Sequence, residues 1–390
     1  MSQTQSTDGA VRVATKRVYI NKSIFPWRFA MRWRFGFRRE VGEKIMEENL
    51  FGLENFGNTC YCNSVIQVLY FYKSFREKLL HGSESNPHRD KTSANHPISN
   101  VFLDNRGHDL FPSLKNLFNL ISRQRKRTGW ISPQEFINCL RSQNATFRGS
   151  RQQDAHEFFN YLINNLLEHL LRGNNTTEPT WIQDIFQGSL SNRTKCLFCN
   201  TITTRKESFM DLSIEISPNL SLSSALARFS DIELLDHGNK FYCDTCRMYC
   251  KAEKQMKIFN PPEMLVIHLK RFKYVDDAKT FLKLNYRIPF TTDISISDIL
   301  EKDSDNQDRL YFLHAVIVHL GKGPNQGQYI AVVKIDNEWV CFDDDTVELV
   351  DEGYIHSLFG SRLQASNPIV GPFSSVSRTA YILFYQAMNA

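Results

Sequence analysis

Cys60 is the residue of this chain best placed to act as a nucleophile. It sits in NFGNTCYCNS (55–64), behind the turn formers Gly57 and Asn58, with Asn63 and Ser64 as capping residues ahead of a long amphipathic run. Turn, cysteine and helix in that order put the thiol at the positive end of a helix dipole. Unsatisfied backbone N–H groups there favour the thiolate, the reactive form. A buried structural cysteine is the ordinary alternative. It fits poorly, because Asn55, Gly57, Asn58 and Thr59 suit a turn and not a core strand. Cys62 alternates with Cys60 and packs inward. A thiol nucleophile also needs a base, usually His, with a carboxylate or amide to orient it. Part of such a set lies late in the chain. There the glycine-rich GKGPNQGQY (321–329) leads into a strand, and the next strand ends in Asp343, Asp344 and Asp345.

Four other cysteines carry a different chemistry. Cys196 and Cys199 form one C-x-x-C unit, and Cys243 and Cys246 form another about forty residues on. Two such pairs, each at a hairpin, supply the four thiolates of a closed structural zinc site. With no open coordination position, the metal would hold the fold and do no chemistry. Cys250 is a spare thiol outside the set.

The elements that must position these groups divide by texture. Val65, Val68, Leu69, Tyr72, Phe75 and Leu79 recur at three- and four-residue steps and predict a helix over 64–80. A second helix follows at about 110–125. A third, at 133–142, opens with Ser132 as N-cap and Pro133 at the first helical position. In QQDAHEFFNYLINNLLEHLL (152–171), Asp154 and Glu157 make a capping-box-like start, and Phe158, Leu162, Leu166 and Leu170 form an apolar stripe. The stretch 82–108 is polar and proline-broken, which reads as a surface loop or insertion. From about 181 the pattern changes to short β-branched and aromatic runs: 210–216, 264–269, 312–320, 328–335, 338–342 and 380–386. Helices first and strands later predict an α+β fold with an antiparallel sheet.

Composition bounds the class. The 390 residues are 42% hydrophobic and 12% aromatic, enough for a sizeable core. A net charge of +5 is too small to imply nucleic-acid binding without a concentrated patch. Nine cysteines, four of them in C-x-x-C pairs, suit metal binding in a reducing compartment better than a disulfide framework. No apolar run approaches the length needed to span a bilayer, and no signal peptide is visible. Residues 1–50 are basic and read as a disordered or family-specific extension. A mitochondrial transit peptide and a nucleic-acid or membrane-surface arm are the other readings of an Arg-rich start.

NFGNTCYCNS, QQDAHEFF, TWIQDIFQGSLSNRTKCLFC, the second C-x-x-C, HLKRFKY (268–274), a G-x-Y strand start, FDDD and YILFYQ occur in that order. Together they resemble the ubiquitin-specific proteases, papain-like cysteine deubiquitinases, over roughly residues 51–386. They are most similar to the small subgroup activated by WD-repeat β-propeller partners. The resemblance implies a right-hand fold within 51–390: a helical thumb at about 51–180, zinc-bearing fingers at about 181–260, and an antiparallel-sheet palm at about 261–390. It implies Cys60 as nucleophile and Asn55 as the oxyanion-hole donor. Asp343 would orient the base, with Asp344 as a stand-in, and Asp154 would hold ubiquitin's basic C-terminal tail. The implied substrate is an isopeptide or peptide bond after ubiquitin's terminal glycine. Partners would be ubiquitin or its conjugates and a WD-repeat activator, in the cytoplasm or nucleus.

One position departs from the family. Where it has His between Gly327 and Tyr329, this chain has Gln328. An amide cannot take and return a proton near neutral pH, nor form the thiolate–imidazolium pair that activates a catalytic cysteine. General acid–base catalysis contributes about 10²–10⁴-fold, so severe impairment is expected. By the resemblance, His319 and His156 are also His in relatives that keep the base, so each has its own structural role. His268, inside an apolar run, reads as a satisfied core histidine. Three functions remain open: a ubiquitin-binding pseudoenzyme, an active enzyme using another base or a partner, and a zinc-stabilised scaffold that does not touch ubiquitin.

Overall fold

A computed structural model describes residues 48–81, 109–149, 151–172, 178–276, 279–302, 309–324, 326–360 and 378–388. The basic segment 1–47 and the polar stretch 82–108 lie outside them. The chain opens with β1 (Leu50–Leu53), followed by α1 (Cys60–Phe71), α2 (Lys73–His81) and α3 (Leu110–Ser122). Next come β2 (Thr128–Ile131), α4 (Gln134–Gln143), α5 (Ala155–Leu171) and α6 (Trp181–Phe186). β1 and β2 pair in parallel.

Three helix boundaries differ from the sequence expectation, each for a local reason. The run expected as one helix over 64–80 is two, because Tyr72 is extended (φ −79°, ψ 99°). That break keeps Phe75 and Leu79 fully buried, and the Tyr72 hydroxyl meets the Glu263 carboxylate. The first of the two starts at Cys60 with Thr59 as N-cap, so Asn63 and Ser64 lie inside its first turn and do not cap it. Pro133 is itself the N-cap of α4, one residue later than Ser132 would place it. Asp154 caps α5 as expected, accepting from the backbone N–H groups of His156 (2.7 Å) and Glu157 (3.3 Å).

The second half is strand-rich. β3 (Gly188–Cys196), β4 (Ile202–Phe209) and β5 (Leu212–Ile214) precede α7 (Leu222–Phe229). Then follow β6 (Glu233–Leu235), β7 (Phe241–Cys243), β8 (Met248–Cys250), β9 (Ala252–Asn260), β10 (Met264–Leu269), β11 (Phe272–Val275), β12 (Thr280–Lys283) and β13 (Asp293–Ser295). The last elements are β14 (Leu310–Gly323), β15 (Gln326–Ile335), β16 (Glu338–Asp343), β17 (Thr346–Val350), α8 (Glu352–Ser357) and β18 (Arg378–Ala387). An eight-stranded sheet runs β17-β16-β15-β14-β18-β10-β5, with β13 added on β14. All its pairings are antiparallel except β10 with β5. A smaller sheet runs β4-β3-β9-β6 and ends beside the β7–β8 hairpin, where the C-x-x-C cysteines gather.

The large sheet is buried on both faces, which explains why its strands read as nearly continuous apolar runs. Ala315, Ile317, Ala331, Val333, Ile382 and Phe384 face the helices. The alternate residues Val316, Val318, Ile330, Val332, Leu383 and Tyr385 face a second core closed by α7 and α8. A two-residue side-chain period divides the strands between two cores. The helical core and the sheet meet along α1, whose twelve residues are all buried, and that seam carries the chemistry.

Candidate active site

Cys60 is the first residue of α1 and is 1% exposed. The turn before it is built as the sequence implied. Gly57 (φ 77°) and Asn58 (φ 59°) take left-handed conformations. Thr59 N–H donates to Asn55 Oδ1 (3.1 Å), Phe56 N–H donates to Thr59 Oγ1 (2.9 Å), and Arg141 anchors the Phe56 carbonyl (2.8 Å). The sulfur does not gain a stabilised thiolate from this position. Burial pushes the Cys60 thiol up to about 12, and the negative charges of Asp344 and Asp343 add to the rise; the backbone amides of Tyr329 and Tyr61 oppose it without prevailing. The helix-dipole expectation is thus corrected: desolvation outweighs the N-terminal amides where no cation stands beside the sulfur. Gln152 Nε2, 3.8 Å away, is a polar neighbour of the sulfur.

β15 brings Gln328 to the same seam. Gly327 before it has φ 149°, and a Cβ there would lie 2.1 Å from the Leu320 carbonyl oxygen, so only glycine fits. Gln328 Nε2 donates to Asp343 Oδ1 (2.8 Å) and Asp344 Oδ2 (2.7 Å). Both carboxylates named from sequence are therefore engaged by Gln328. Asp344, 4% exposed and at φ 52°, collects two further amides: Asn55 Nδ2 on Oδ2 (2.8 Å) and Asn63 Nδ2 on Oδ1 (3.0 Å). The turn carrying it docks on β1, with Leu53 N–H on the Asp344 carbonyl (2.7 Å). Gly52 permits this approach, since a Cβ there would fall 2.6 Å from the Asp345 carbonyl carbon. Three side-chain amides and two carboxylates thus lock the sheet edge to the start of α1. None of its three amides can shuttle a proton near neutral pH.

Asp154 and Tyr381 are paired through the tyrosine hydroxyl and the second carboxylate oxygen. Beside them, His156 Nε2 lies 2.7 Å from Asp211 Oδ2, and its ring stacks on His268 with centroids 3.8 Å apart. Burial opposes ionisation of Asp211, yet the hydrogen bond and charge of His156 hold its carboxyl below the usual range. His268 Nδ1 meets Ser213 Oγ at 2.9 Å, while the buried Nε2 has no hydrogen-bond partner among the described residues. The core-histidine reading is therefore only half satisfied. Burial lowers its pKa to about 3. His319 is fully buried between Phe272 and Tyr329, and neither ring nitrogen has a hydrogen-bond partner among the described residues. Burial first, then the nearby Lys283 and Arg271 charges, lower it to about 2.

At the far end of the small sheet, the Sγ atoms of Cys196, Cys199, Cys243 and Cys246 lie within 4.8 Å of one another. Cys196 and Cys246 are 4.0 Å apart, and Cys199 and Cys243 are 3.6 Å apart. A tetrahedral zinc with Zn–S of about 2.3 Å requires sulfur edges of about 3.8 Å, so the donor set and its spacing fit that ion. Cys250 is buried against the cluster without belonging to the four.

Sequence reasoning missed Gln152, Asn63 and Asp211. Gln152 lay in a stretch already singled out by its motif. Asn63 reads from sequence as a cap, although Thr59, one turn earlier, is the N-cap of the helix. Asp211 had no local signal, since a strand-edge carboxylate becomes informative only when the fold brings His156 to it.

The family model described as ubiquitin carboxyl-terminal hydrolase matches residues 51–385. The chain belongs to the ubiquitin carboxyl-terminal hydrolase family. Within it, the chain is a member of the ubiquitin-specific proteases, as the motif order implied. It is 40% identical over 381 residues to ubiquitin carboxyl-terminal hydrolase 4 of Arabidopsis thaliana, covering 90% of this chain and 97% of the relative. It is 39% identical over 375 residues to ubiquitin carboxyl-terminal hydrolase 12 of Salmo salar, covering 90% and 94%. Among solved structures it resembles the SAGA Ubp8/Sgf11/Sus1/Sgf73 DUB module bound to ubiquitin aldehyde. The TM-score is 0.69 at 25% identity, covering 87% of this chain and 70% of that one. A second structure of that module, bound to monoubiquitin, gives a TM-score of 0.68 at 24% identity. The fold is accordingly the family's papain-like right hand, α+β, with a helical thumb, an antiparallel-sheet palm and cysteine-bearing fingers.

Proposed function

We propose that this chain recognises ubiquitin as a deubiquitinase of the ubiquitin-specific type and hydrolyses it poorly, because Gln328 occupies the base position. The observation that carries this reading is the double hydrogen bond from Gln328 Nε2 to Asp343 and Asp344. In the reaction the scaffold is built for, Cys60 Sγ would attack the carbonyl carbon of ubiquitin's terminal glycine. The C–N bond to the substrate lysine would break, and the departing amine would take a proton. Before attack the thiol must lose its proton, and burial makes that loss costly. Gln328 can perform neither transfer. Asn55 gives one of its two amide N–H groups to Asp344 (2.8 Å), which fixes the amide while leaving the other N–H to stabilise an oxyanion.

An active enzyme with another base is favoured by one thing: Cys60, Asn55 and Asp343 are all retained. The candidate bases weaken it. His319 is enclosed in a ring cluster, and His156 is committed to Asp211. Asp154, at the helix start beside Tyr381, is proposed to hold the basic tail of ubiquitin. The four fingertip cysteines are proposed to bind one structural zinc. Nine free cysteines suit a reducing cytoplasmic or nuclear setting, and a WD-repeat activator is proposed from the subgroup resemblance.

The reading is tested by titrating the chain with ubiquitin in a calorimeter. Binding that weakens at least tenfold in Asp154→Ala is expected. No binding by the parent chain would leave the scaffold reading in its place.

A further inference from the structure

Two separate parts of the chain reach the Cys60 sulfur: the turn at 55–60 and the segment that leads into α5. Tyr61, next to Cys60, stacks its ring on Phe147 with centroids 5.8 Å apart and meets Phe158 edge-on at 5.5 Å. Those two rings bracket residues 148–157 in sequence, so the contact draws Gln152 to the start of α1. Asp154 then fixes the course of the segment by capping α5. Gln152 ends 3% exposed, with its amide Nε2 3.8 Å from Cys60 Sγ. That is the one hydrogen bond its side chain makes among the described residues.

A buried primary amide whose partner is a thiol is a poor choice for packing alone. Met or Leu would fill a similar volume without taking an amide out of water, and a buried amide short of partners costs stability. The placement becomes favourable once the sulfur is negative, because hydrogen bonds to a charged acceptor are about twice as strong as neutral ones. The other two amides at this end of the seam point elsewhere. Gln328 donates to Asp343 and Asp344, and Asn55 gives one N–H to Asp344. Gln152 is the side-chain amide turned to the sulfur.

We propose that Gln152 is a catalytic residue of this seam: its N–H holds the Cys60 sulfur and stabilises the negative charge the sulfur carries when it attacks. Asn55 serves the substrate oxygen, and Gln152 serves the nucleophile. The backbone amides of Tyr329 and Tyr61 act on the sulfur in the same direction. With no imidazolium supplied by residue 328, these neutral donors set how reactive Cys60 is. The division of labour between the two amides rests on the hydrolase reading of the seam, whereas the contact with the sulfur does not.

The test is the reactivity of Cys60 without ubiquitin. Full-length parent, Gln152→Met and Gln152→Glu chains are treated with iodoacetamide at pH 8, and Cys60 alkylation is followed by peptide-resolved mass spectrometry. Gln152→Met keeps the volume and removes the donor, and is expected to slow alkylation about fivefold to tenfold. Gln152→Glu puts a carboxylate beside the sulfur and is expected to slow it further. A packing role predicts the opposite sign for Gln152→Met, because a loosened seam wets the sulfur and speeds alkylation. Equal or faster alkylation of Gln152→Met would therefore overturn the proposal, as would Gln152→Glu reacting as fast as the parent. In the Gln328→His chain, adding Gln152→Met is expected to move the midpoint of the alkylation pH profile up by about 0.7 to 1 unit, the same fivefold to tenfold. An unmoved midpoint would also overturn it. A parent chain that fails to bind ubiquitin would instead count against the proposed function and leave these rates standing.

Discussion

Cys60 and Cys199 are the same side chain in opposite surroundings. Cys199 sits at the fingertips, 3.2 Å from the Thr201 hydroxyl and among three other sulfurs; hydrogen bonding with Thr201 lowers its thiol, while its hydrogen bond with the neighbouring Cys246 raises that one. Cys60 is sealed at the seam between helix and sheet, where its charged neighbours are Asp343 and Asp344, and its thiol is driven up. A thiolate needs compensation. At the fingertips the donors converge on a point where a cation fits; at the seam the place where an imidazolium would stand is taken by a neutral amide. At the seam the two carboxylates are met by the neutral amide of Gln328 and not by a cation.

Removing the compensation at the fingertips is expected to produce the largest effect. Structural zinc contributes on the order of 10 kcal/mol to the folding of small sites. Chelation, or Cys243→Ser, should therefore strip hydrogen-exchange protection from β7, β8 and residues 196–201 while β14 and β18 stay protected. Continued protection of the hairpin would mean that its own packing suffices.

The seam should respond next. Asp344→Ala takes one acceptor from each of three side-chain amides, although Gln328 keeps Asp343 and Asn63 keeps the Leu53 and Glu54 carbonyls, and should cost about 2 kcal/mol in urea unfolding. Asp344→Asn tolerates the left-handed backbone and keeps an acceptor, and should cost about half as much. Equal costs for the two would show that the backbone conformation, not the amide network, holds the turn.

Buried histidines predict a smaller, pH-dependent loss. His268, His314 and His319 have folded pKa values of about 3, 4 and 2, each lowered chiefly by burial, against about 6.5 when unfolded. Below pH 6.5 the unfolded chain takes up protons that the fold refuses, so stability is complete above that pH and falls as the pH drops toward 4. The slope should reach about 1.4 kcal/mol per pH unit for each ring. A flat urea midpoint between pH 6.5 and 4.5 would contradict this. The smallest effect should appear in peptide-resolved alkylation of Cys60 by iodoacetamide. Its rate should climb without a plateau from pH 7 to 10 in the parent, and level off below pH 8 once Gln328→His restores a cation beside the sulfur.

The sequence made the outlines of this arrangement legible where local chemistry repeats along the chain. Asp154 capped its helix as its spacing with Glu157 indicated, and the six strand runs from 210–216 to 380–386 all contain strands. The turn at Gly57 and Asn58 took the backbone its residues demanded. Whatever depended on distant partners was not legible. Tyr72 breaks a periodic helix because the hydroxyl finds Glu263, nearly two hundred residues away in sequence. Asn63 holds Asp344, and His268 meets His156, only because the sheet folds back on α1. Above all, dipole reasoning favoured a thiolate at Cys60, and desolvation, which no local pattern reveals, outweighed it.

The most direct test of the account is cleavage of a fluorogenic ubiquitin C-terminal amide by the parent, Cys60→Ala and Gln328→His chains side by side. The account predicts that the parent is indistinguishable from Cys60→Ala and that Gln328→His gains about 10²–10⁴-fold. Parent turnover well above Cys60→Ala would contradict it, and would mean that another group in the seam moves the proton.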